Sequence, residues 1–212
     1  MRLTVLGATG GIGGHVVRQA LDRGFTVTAV VRDPVRLPLT HTALQVSAVP
    51  DLADTATLTT LLKGSDAVLS GIGARGRHDG PVASTATGHL LTAMSAAGVR
   101  RVVVVSAAPV GPSPDGDGFL SRHVLLPVIS AVFRDVYTDL RAMEQALAGS
   151  RAEWTVVRPP KLVDKPLTGH YRTAAGANVA NGHTIGRADV AHAMLAALDD
   201  PATIGRPLGV AY

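Results

Sequence analysis

Short apolar runs recur along the whole chain and are separated by longer amphipathic stretches. Several runs are continuous in Val and Leu, which is typical of parallel strands buried on both faces of a sheet. The pattern predicts strands at residues 3–6, 26–31, 44–47, 67–70, 101–106, 154–158 and 207–211. We therefore expect these runs to form one largely buried sheet.

The stretches between the apolar runs have the spacing of helices. The pattern predicts helices at residues 13–23, 53–63, 82–97, 136–148 and 187–198. Gly24, Gly64 and Gly98 follow three of them, and glycine is the usual residue just beyond a helix end. Alternation of strand and helix predicts an α/β protein with a doubly wound, mostly parallel sheet. No repeat or linker interrupts the pattern, so we expect residues 1–212 to form a single domain.

A glycine-rich turn lies between the first predicted strand and the first predicted helix. It reads Gly-Ala-Thr-Gly-Gly-Ile-Gly-Gly from Gly7 to Gly14. A helix that opens on bare glycines offers unpaired N–H groups and the positive end of its dipole to a phosphate. Gly7 lets the chain leave the strand sharply, Gly10 leaves room for a diphosphate, and Gly13 lets the helix pack close to the sheet. The spacing G-x-x-G-x-x-G is not the most familiar fingerprint, but its position predicts a dinucleotide site rather than a flexible turn without a ligand.

The residues after the second predicted strand bear on the choice of cofactor. Proteins that bind NAD usually have Asp or Glu at this point, which accepts hydrogen bonds from the ribose. Here Arg32 follows the strand and Arg36 comes one turn later. Guanidinium groups suit a 2′-phosphate, so the pattern predicts NADPH rather than NADH. Two alternatives remain: Asp33, one position further on, as the ribose acid, or two arginines that only contact solvent.

Composition excludes several classes of function. The chain is 46% hydrophobic but only 3% aromatic and contains no cysteine, which excludes disulfides and cysteine nucleophiles. The net charge of +4 comes from dispersed residues, so we expect a small-molecule substrate and no nucleic-acid partner. No apolar run reaches the length of a membrane span, and the first strand leaves no room for a signal peptide. We therefore expect a cytoplasmic protein, either a monomer or a homodimer, that does not bind membranes.

Residues 108–118 form a loop rich in Pro, Gly and Asp just beyond a central predicted strand. Ligands of open α/β sheets bind beyond the carboxyl ends of the strands. The loop is therefore a candidate lid over the site. A passive surface loop has the same composition.

Further segments carry a family resemblance. These are the glycine turn, Val30-Val31-Arg32-Asp33-Pro34-Val35-Arg36-Leu37-Pro38, Gly73-Ala74-Arg75, Val105-Ser106-Ala107, Arg158-Pro159-Pro160, Asp164-Lys165-Pro166-Leu167-Thr168-Gly169-His170-Tyr171 and Ile185-Gly186-Arg187-Ala188-Asp189-Val190-Ala191. Together they resemble the atypical short-chain dehydrogenase/reductases. Within that family they are most similar to the biliverdin-IXβ reductase/flavin reductase group and its NmrA-like, NAD(P)H-binding relatives. The resemblance implies a Rossmann fold that binds NADPH without a separate substrate domain.

The resemblance also implies which residues bind the adenine half of the cofactor. The diphosphate would lie against the glycine turn, at Gly7, Thr9, Gly10, Gly11, Ile12 and Gly13. Arg32 and Arg36 would hold the 2′-phosphate. Asp51 and Leu52, after the third strand, would lie beside the adenine.

On the nicotinamide side, the resemblance implies a second group of residues. Gly73, Ala74 and Arg75 would line this half of the site, and Ser106 would lie at the nicotinamide ring. The backbone of Pro159 and Pro160 would bind the carboxamide.

Three departures from the flavin-reductase pattern fall on the substrate side. Ile12 replaces a Thr, Lys161 replaces a His after the Pro-Pro pair, and the loop at residues 111–118 differs. These changes argue against biliverdin as the substrate. A flavin is expected as substrate rather than as a prosthetic group.

Two residues are candidates for catalysis. Many short-chain dehydrogenases use a Tyr-x-x-x-Lys pair, whose cation lowers the pKa of the phenol. The nearest match here is Tyr137 with Arg141, and the alternative is an ordinary half-buried helix tyrosine. The flavin-reductase group does without this tyrosine and relies on positioning. Ser106 is therefore the main candidate, either orienting nicotinamide or substrate or only bonding to the local backbone.

The histidines do not have metal-ligand spacing, so we expect no metal. The residues leave three functional classes open. They are an NADPH-dependent reductase of flavins, quinones or similar flat acceptors, a non-catalytic NADP(H) sensor of the NmrA-like type, and an NAD(P)-dependent isomerase or dehydratase.

Overall fold

Seven parallel strands form the centre of the fold, in a computed structural model that describes residues 1–74, 76, 79–112 and 133–212. They are β1 (Arg2–Leu6), β2 (Thr26–Val31), β3 (Leu44–Ala48), β4 (Ala67–Ser70), β5 (Arg101–Val105), β6 (Glu153–Arg158) and β10 (Arg206–Ala211). Each corresponds to a predicted strand within one residue at either end. The predicted α/β class with a mostly parallel sheet is confirmed.

Three further short strands were not predicted. They are β7 (Lys161–Val163), β8 (Arg172–Ala175) and β9 (Thr184–Gly186). β8 pairs antiparallel with β10 at the sheet edge, while β7 and β9 pair with each other in a separate two-stranded sheet. The order of the large sheet is β3-β2-β1-β4-β5-β6-β10-β8. The first six strands follow the order of dinucleotide-binding sheets, in which the chain changes direction between β1 and β4.

Five described helices cover the sheet. They are α1 (Gly11–Asp22), α2 (Thr55–Leu62), α3 (Val82–Ala97), α4 (Arg134–Ala148) and α5 (Arg187–Ala196). α1 begins two residues before the predicted start, because its first turn includes the glycines themselves. Gly24, Gly64 and Gly98 have φ values of 76°, 75° and 74°, which agrees with the prediction that these glycines end helices.

Two apolar clusters lie on the two faces of the sheet. α1 and α5 pack on one face, where Val17 of α1 and Met194 of α5 are fully buried. α2, α3 and α4 pack on the other face, around residues such as Leu58 and Leu147. Burying each such side chain contributes about 1.5–3 kcal/mol. In the part of the chain that the structure describes, no helix is long and apolar enough to cross a membrane.

Candidate functional site

A crevice of about 760 Å³ opens at the carboxyl edge of the sheet, where the chain changes direction between β1 and β4. This is the position at which open α/β sheets bind ligands. Many residues singled out in the sequence line it: Gly7, Thr9, Gly10, Gly11, Ile12, Arg32, Asp51, Leu52, Gly73, Ala74 and Ser106. The fold thus brings together segments that are far apart in the chain.

Other candidate residues lie elsewhere. The residues that do not line the crevice are Gly13, Arg36, Tyr137, Pro159 and Pro160. Gly13 is buried beneath the turn, and Arg36 is exposed in a short 3-10 turn after β2. Pro159 is buried, and its carbonyl accepts a hydrogen bond from the N–H of Ala108. Arg75 lies outside the described residues.

Backbone conformation and close packing explain why Gly7 and Gly13 of the turn are glycines. Gly7 has a φ of 75°, which an L side chain rarely adopts. A Cβ atom at Gly13 would lie 2.2 Å from the carbonyl oxygen of Gly7, so only glycine allows α1 to pack this close to β1. Gly10 is different, because its Cβ would approach only the carbonyl oxygen of Gly7, at 3.2 Å. Gly10 therefore leaves open space above the helix end.

The N-terminus of α1 faces this open space without a side-chain cap. Gly10 is the N-cap residue, and the first turn contains no acidic residue. The N–H groups at the start of a helix have no partner within the helix and carry the positive end of its dipole. Such an end is a general site for phosphate groups.

Asp33 and Arg32 have different surroundings at the end of β2. The carboxylate of Asp33 accepts a hydrogen bond from the N–H of Val35 at 3.1 Å and caps the following 3-10 turn. Asp33 does not line the crevice, whereas the exposed Arg32 does. The side chain at the crevice is therefore cationic.

The end of β3 contributes a polar and an apolar residue. Asp51 lies at the crevice, and its carboxylate accepts a hydrogen bond from the N–H of Ala53 at 2.9 Å. Leu52 is half-buried beside it, and His89 of α3 lines the same crevice. This end of the crevice is therefore lined by both polar and apolar side chains.

Ser106 belongs to a side-chain network that the sequence does not predict. Its hydroxyl donates to Oε1 of Glu144, on α4, at 2.6 Å. Arg158, at the end of β6, donates to Oε1 of Glu144 at 3.1 Å and forms an ion pair with Oε2. The side chains of Glu144 and Arg158 are only 14% and 11% exposed, so the pair is shielded from water. The proton of Ser106 is thus engaged by a carboxylate, and Ser106 itself lines the crevice.

Tyr137 lacks the surroundings of a short-chain dehydrogenase tyrosine. It is half-buried against apolar residues on the α4 face of the sheet. The centroid of its ring lies 6.1 Å from the centroid of the Phe133 ring. Burial raises the pKa of its phenol, the opposite of activation by a neighbouring cation. Arg141 instead donates to the carbonyl oxygen of Pro109, at 3.5 Å.

The segment from Pro166 to Tyr171 is fixed by the helix that follows it. The buried carboxylate of Asp189 accepts hydrogen bonds from the N–H groups of Thr168 and Gly169, at 3.0 and 2.8 Å. The Tyr171 hydroxyl lies 2.7 Å from Nδ1 of His192, and burial raises the pKa of Tyr171 to about 12. The segment does not line the crevice, and these hydrogen bonds join it to α5 instead.

The beginning of the 108–118 loop is ordered around Asn178. The side-chain amide of Asn178 donates to the carbonyl oxygens of Ala108 and Pro112, at 2.7 and 3.0 Å. Residues 113–118 lie outside the described residues, so the lid remains a prediction.

Among the described residues, no three His, Asp or Glu side chains are grouped as they are around a metal ion. Two of the histidines, His78 and His123, lie outside that part of the chain. The absence of a metal site therefore remains a prediction.

Sequence reasoning missed one crevice residue in particular. Arg187 lines the crevice from the start of α5. It directly follows β9, a three-residue strand that the sequence pattern did not indicate. The apolar Ile185 before the Gly186-Arg187 pair is the only local signal for that strand.

The strand order, the glycine turn and the crevice above it define a Rossmann-type dinucleotide-binding protein. The chain belongs to the NAD(P)H-binding family, whose model matches residues 7–201. The family resemblance drawn from the sequence is thereby confirmed.

Solved structures with the same fold come from several bacteria. A protein of Burkholderia pseudomallei, provisionally described as exported, is 26% identical with a TM-score of 0.81, and the match covers 100% of both chains. A protein of Streptococcus pneumoniae TIGR4, provisionally named an NADH-flavin reductase, is 24% identical with a TM-score of 0.80, covering 100% of this chain and 99% of that chain.

A short-chain dehydrogenase/reductase of Veillonella parvula DSM 2008 was solved in complex with NADP. It is 19% identical with a TM-score of 0.79, and the match covers 100% of this chain and 94% of that chain. At 24% and 19% identity, these last two likenesses establish the fold alone. Because one relative is described as exported, a cytoplasmic location stays a prediction.

Proposed function

We propose that this protein is an NADPH-dependent reductase that transfers hydride to a flavin, a quinone or a similar flat conjugated acceptor. One observation carries the proposal: a single crevice runs from the uncapped start of α1 to Ser106, whose hydroxyl proton is already donated to Glu144. A site of this kind suits a dinucleotide, and the hydroxyl proton of Ser106 is engaged by Glu144 rather than free for transfer. Such a site suits an acceptor that needs correct placement more than acid catalysis.

The residues of the crevice fit the cofactor. The glycine turn leaves space where a diphosphate needs close contact with N–H groups, and a Cβ at Gly10 would reduce that space. Arg32 supplies a cation for a 2′-phosphate, while Asp33 is occupied in capping the next turn. These features support NADPH over NADH.

The chain's own residues would divide the remaining work. NADPH supplies the hydride when it is bound. Asp51 and Leu52 would contact the adenine, and Gly73 and Ala74 would line the nicotinamide half. Ser106, held by Glu144, would accept a hydrogen bond from the carboxamide or from an N–H group of the acceptor. Positioning of this kind contributes several kcal/mol to catalysis without any protein proton transfer.

The test is a panel of acceptors. Purified protein is mixed with NADPH and with FMN, a benzoquinone or a tetrapyrrole, and oxidation is followed by absorbance. We expect NADPH oxidation with FMN or the quinone. With NADPH that carries deuterium at C4 of the nicotinamide, the deuterium should be transferred to the reduced acceptor, from which it can exchange into water. Tight NADPH binding without oxidation of any acceptor would contradict the proposal and favour the sensor.

Two matched variants locate the chemistry. Ser106→Ala should lower the rate on the order of tenfold, the effect of one orienting hydrogen bond. Tyr137→Phe should leave most of the activity, because Tyr137 is outside the crevice and burial raises its pKa. Activity abolished by Tyr137→Phe would instead indicate a tyrosine-dependent dehydrogenase.

A further inference from the structure

The side chain of Arg187 lies directly over the glycine turn. A Cβ atom at Gly11 would be 2.7 Å from Cδ of Arg187 and 3.1 Å from its Nε. Arg187 is the first residue of α5, and its side chain reaches Gly11, the first residue of α1. The two helices pack against each other. The side chain of Arg187 therefore lies beside Gly11, in the first turn of the uncapped helix whose N-terminus attracts anions.

The guanidinium group of Arg187 already has an anionic partner. One of its terminal nitrogens lies 2.7 Å from Oδ1 of Asp164. The side chain of Asp164 is 88% exposed, whereas that of Arg187 is 30% exposed. An ion pair with so exposed a carboxylate is weak, because water competes for both charges. The pair can therefore exchange its anion at little cost.

A diphosphate is a better partner for this cation than Asp164. It carries more charge, and its oxygens match the paired N–H donors of a guanidinium group. At the glycine turn the diphosphate would also accept hydrogen bonds from the N–H groups at the start of α1. Two anions that share one cation compete for it.

We propose that Arg187 and Asp164 form an exchangeable ion pair, in which the diphosphate of the bound dinucleotide replaces Asp164 as the partner of Arg187. Arg187 is then a cofactor-binding residue, and Asp164 is an internal competitor that weakens binding. This inference rests on the proposed function. It adds a diphosphate contact that is independent of the 2′-phosphate, so NADPH and NADH share it.

The experiment is a fluorescence titration of the full-length protein with NADPH and with NADH. Arg187→Ala should weaken binding of both dinucleotides about tenfold or more, the loss of a charge-assisted hydrogen bond. Asp164→Asn should tighten binding of both dinucleotides by about two- to fivefold, which corresponds to the free energy of an exposed ion pair. The double variant should bind like Arg187→Ala alone, because Asp164 acts only through Arg187.

Arg18→Ala is the matched control. Arg18 is an exposed arginine of α1 outside the crevice, so its variant removes the same charge and should bind both dinucleotides almost normally. Unchanged binding by Arg187→Ala, or weaker binding by Asp164→Asn, would overturn the inference. Asp164 is exposed, so its variant tests the idea even if Arg187→Ala does not fold.

The outcome separates this inference from the proposed function. If the wild-type protein binds neither dinucleotide, the proposed function itself fails. If the wild type binds both and Arg187→Ala binds equally well, only the exchange fails. If the binding effects appear but no acceptor is reduced, the exchange stands and the reductase activity fails.

Discussion

Arg32 and Asp33 are neighbours in the sequence, but only one of them faces the crevice. Asp33 caps a 3-10 turn through the N–H of Val35, which leaves Arg32 as the charged side chain at the end of β2. The sequence left open which of the two meets the ribose. The local hydrogen bond of Asp33 supports Arg32.

Arg32 gives a prediction about cofactor preference. If Arg32 pairs with a 2′-phosphate, Arg32→Ala should lose about 1.5–3 kcal/mol of binding free energy for NADPH and little for NADH. Titration of both cofactors measures the difference. The exposed Arg36, which does not line the crevice, provides a comparison through Arg36→Ala. Equal losses for both cofactors in Arg32→Ala would contradict the assignment.

At the scale of single residues, the sequence predicts site residues that directly follow a recognisable strand. Arg32 and Ser106 each follow a long apolar run, so the rule about carboxyl ends of strands applies to them. Glu144 gives no such signal, because its contacts with Ser106 and Arg158 join three separate elements. Contacts between distant side chains depend on packing that a single sequence does not specify.

At the scale of elements, α5 organises the segment that precedes it. Burial alone would raise the pKa of Asp189, but hydrogen bonds from Tyr212, Gly169 and Thr168 outweigh burial and lower it below the ordinary value of 3.8. A lowered pKa means that the ionised carboxylate is stabilised more in the folded protein than in the unfolded chain. The segment is therefore held by a charge that acid removes.

This lowered pKa gives a prediction about stability. Asp189→Asn should reduce the free energy of unfolding by about 2–3 kcal/mol at pH 7, the loss of charge-assisted hydrogen bonds. The stability contributed by Asp189 is present above the unfolded pKa and is lost as the pH falls through the folded pKa. The difference between wild type and variant should therefore shrink below about pH 4.

Urea unfolding at several pH values measures that difference. Asp164→Asn is a suitable control, because Asp164 is exposed and its loss should change stability little at any pH. A difference between wild type and Asp189→Asn that stays constant down to pH 2 would contradict the role of ionised Asp189.

Elements with strong apolar runs were predictable, and the short late strands were not. The seven parallel strands are rich in Val, Leu and Ala and pair in the buried sheet. β8 reads Arg-Thr-Ala-Ala and lies at the sheet edge, while β7 and β9 have three residues each. Strands this short take their structure from pairing partners rather than from their own pattern.

At the scale of the whole molecule, the parallel sheet assembles the site. Gly10, Arg32 and Ser106 follow β1, β2 and β5, and all three lie in one crevice because parallel strands end at the same edge. The sequence predicts the strands, but strand order comes from the packing of the two apolar clusters. The resemblance to known reductases implies a Rossmann fold, and the structure shows the order β3-β2-β1-β4-β5-β6-β10-β8.

The central claim is that NADPH binds in this crevice with its diphosphate on the glycine turn, and Gly10→Val tests it most directly. A Cβ atom at Gly10 would approach only the carbonyl oxygen of Gly7, at 3.2 Å, so the fold should survive while the branched side chain takes up the open space. Titration by NADPH fluorescence should show binding to the wild type and none to Gly10→Val, with unchanged circular dichroism spectra. Normal NADPH binding by a folded Gly10→Val protein would contradict the account.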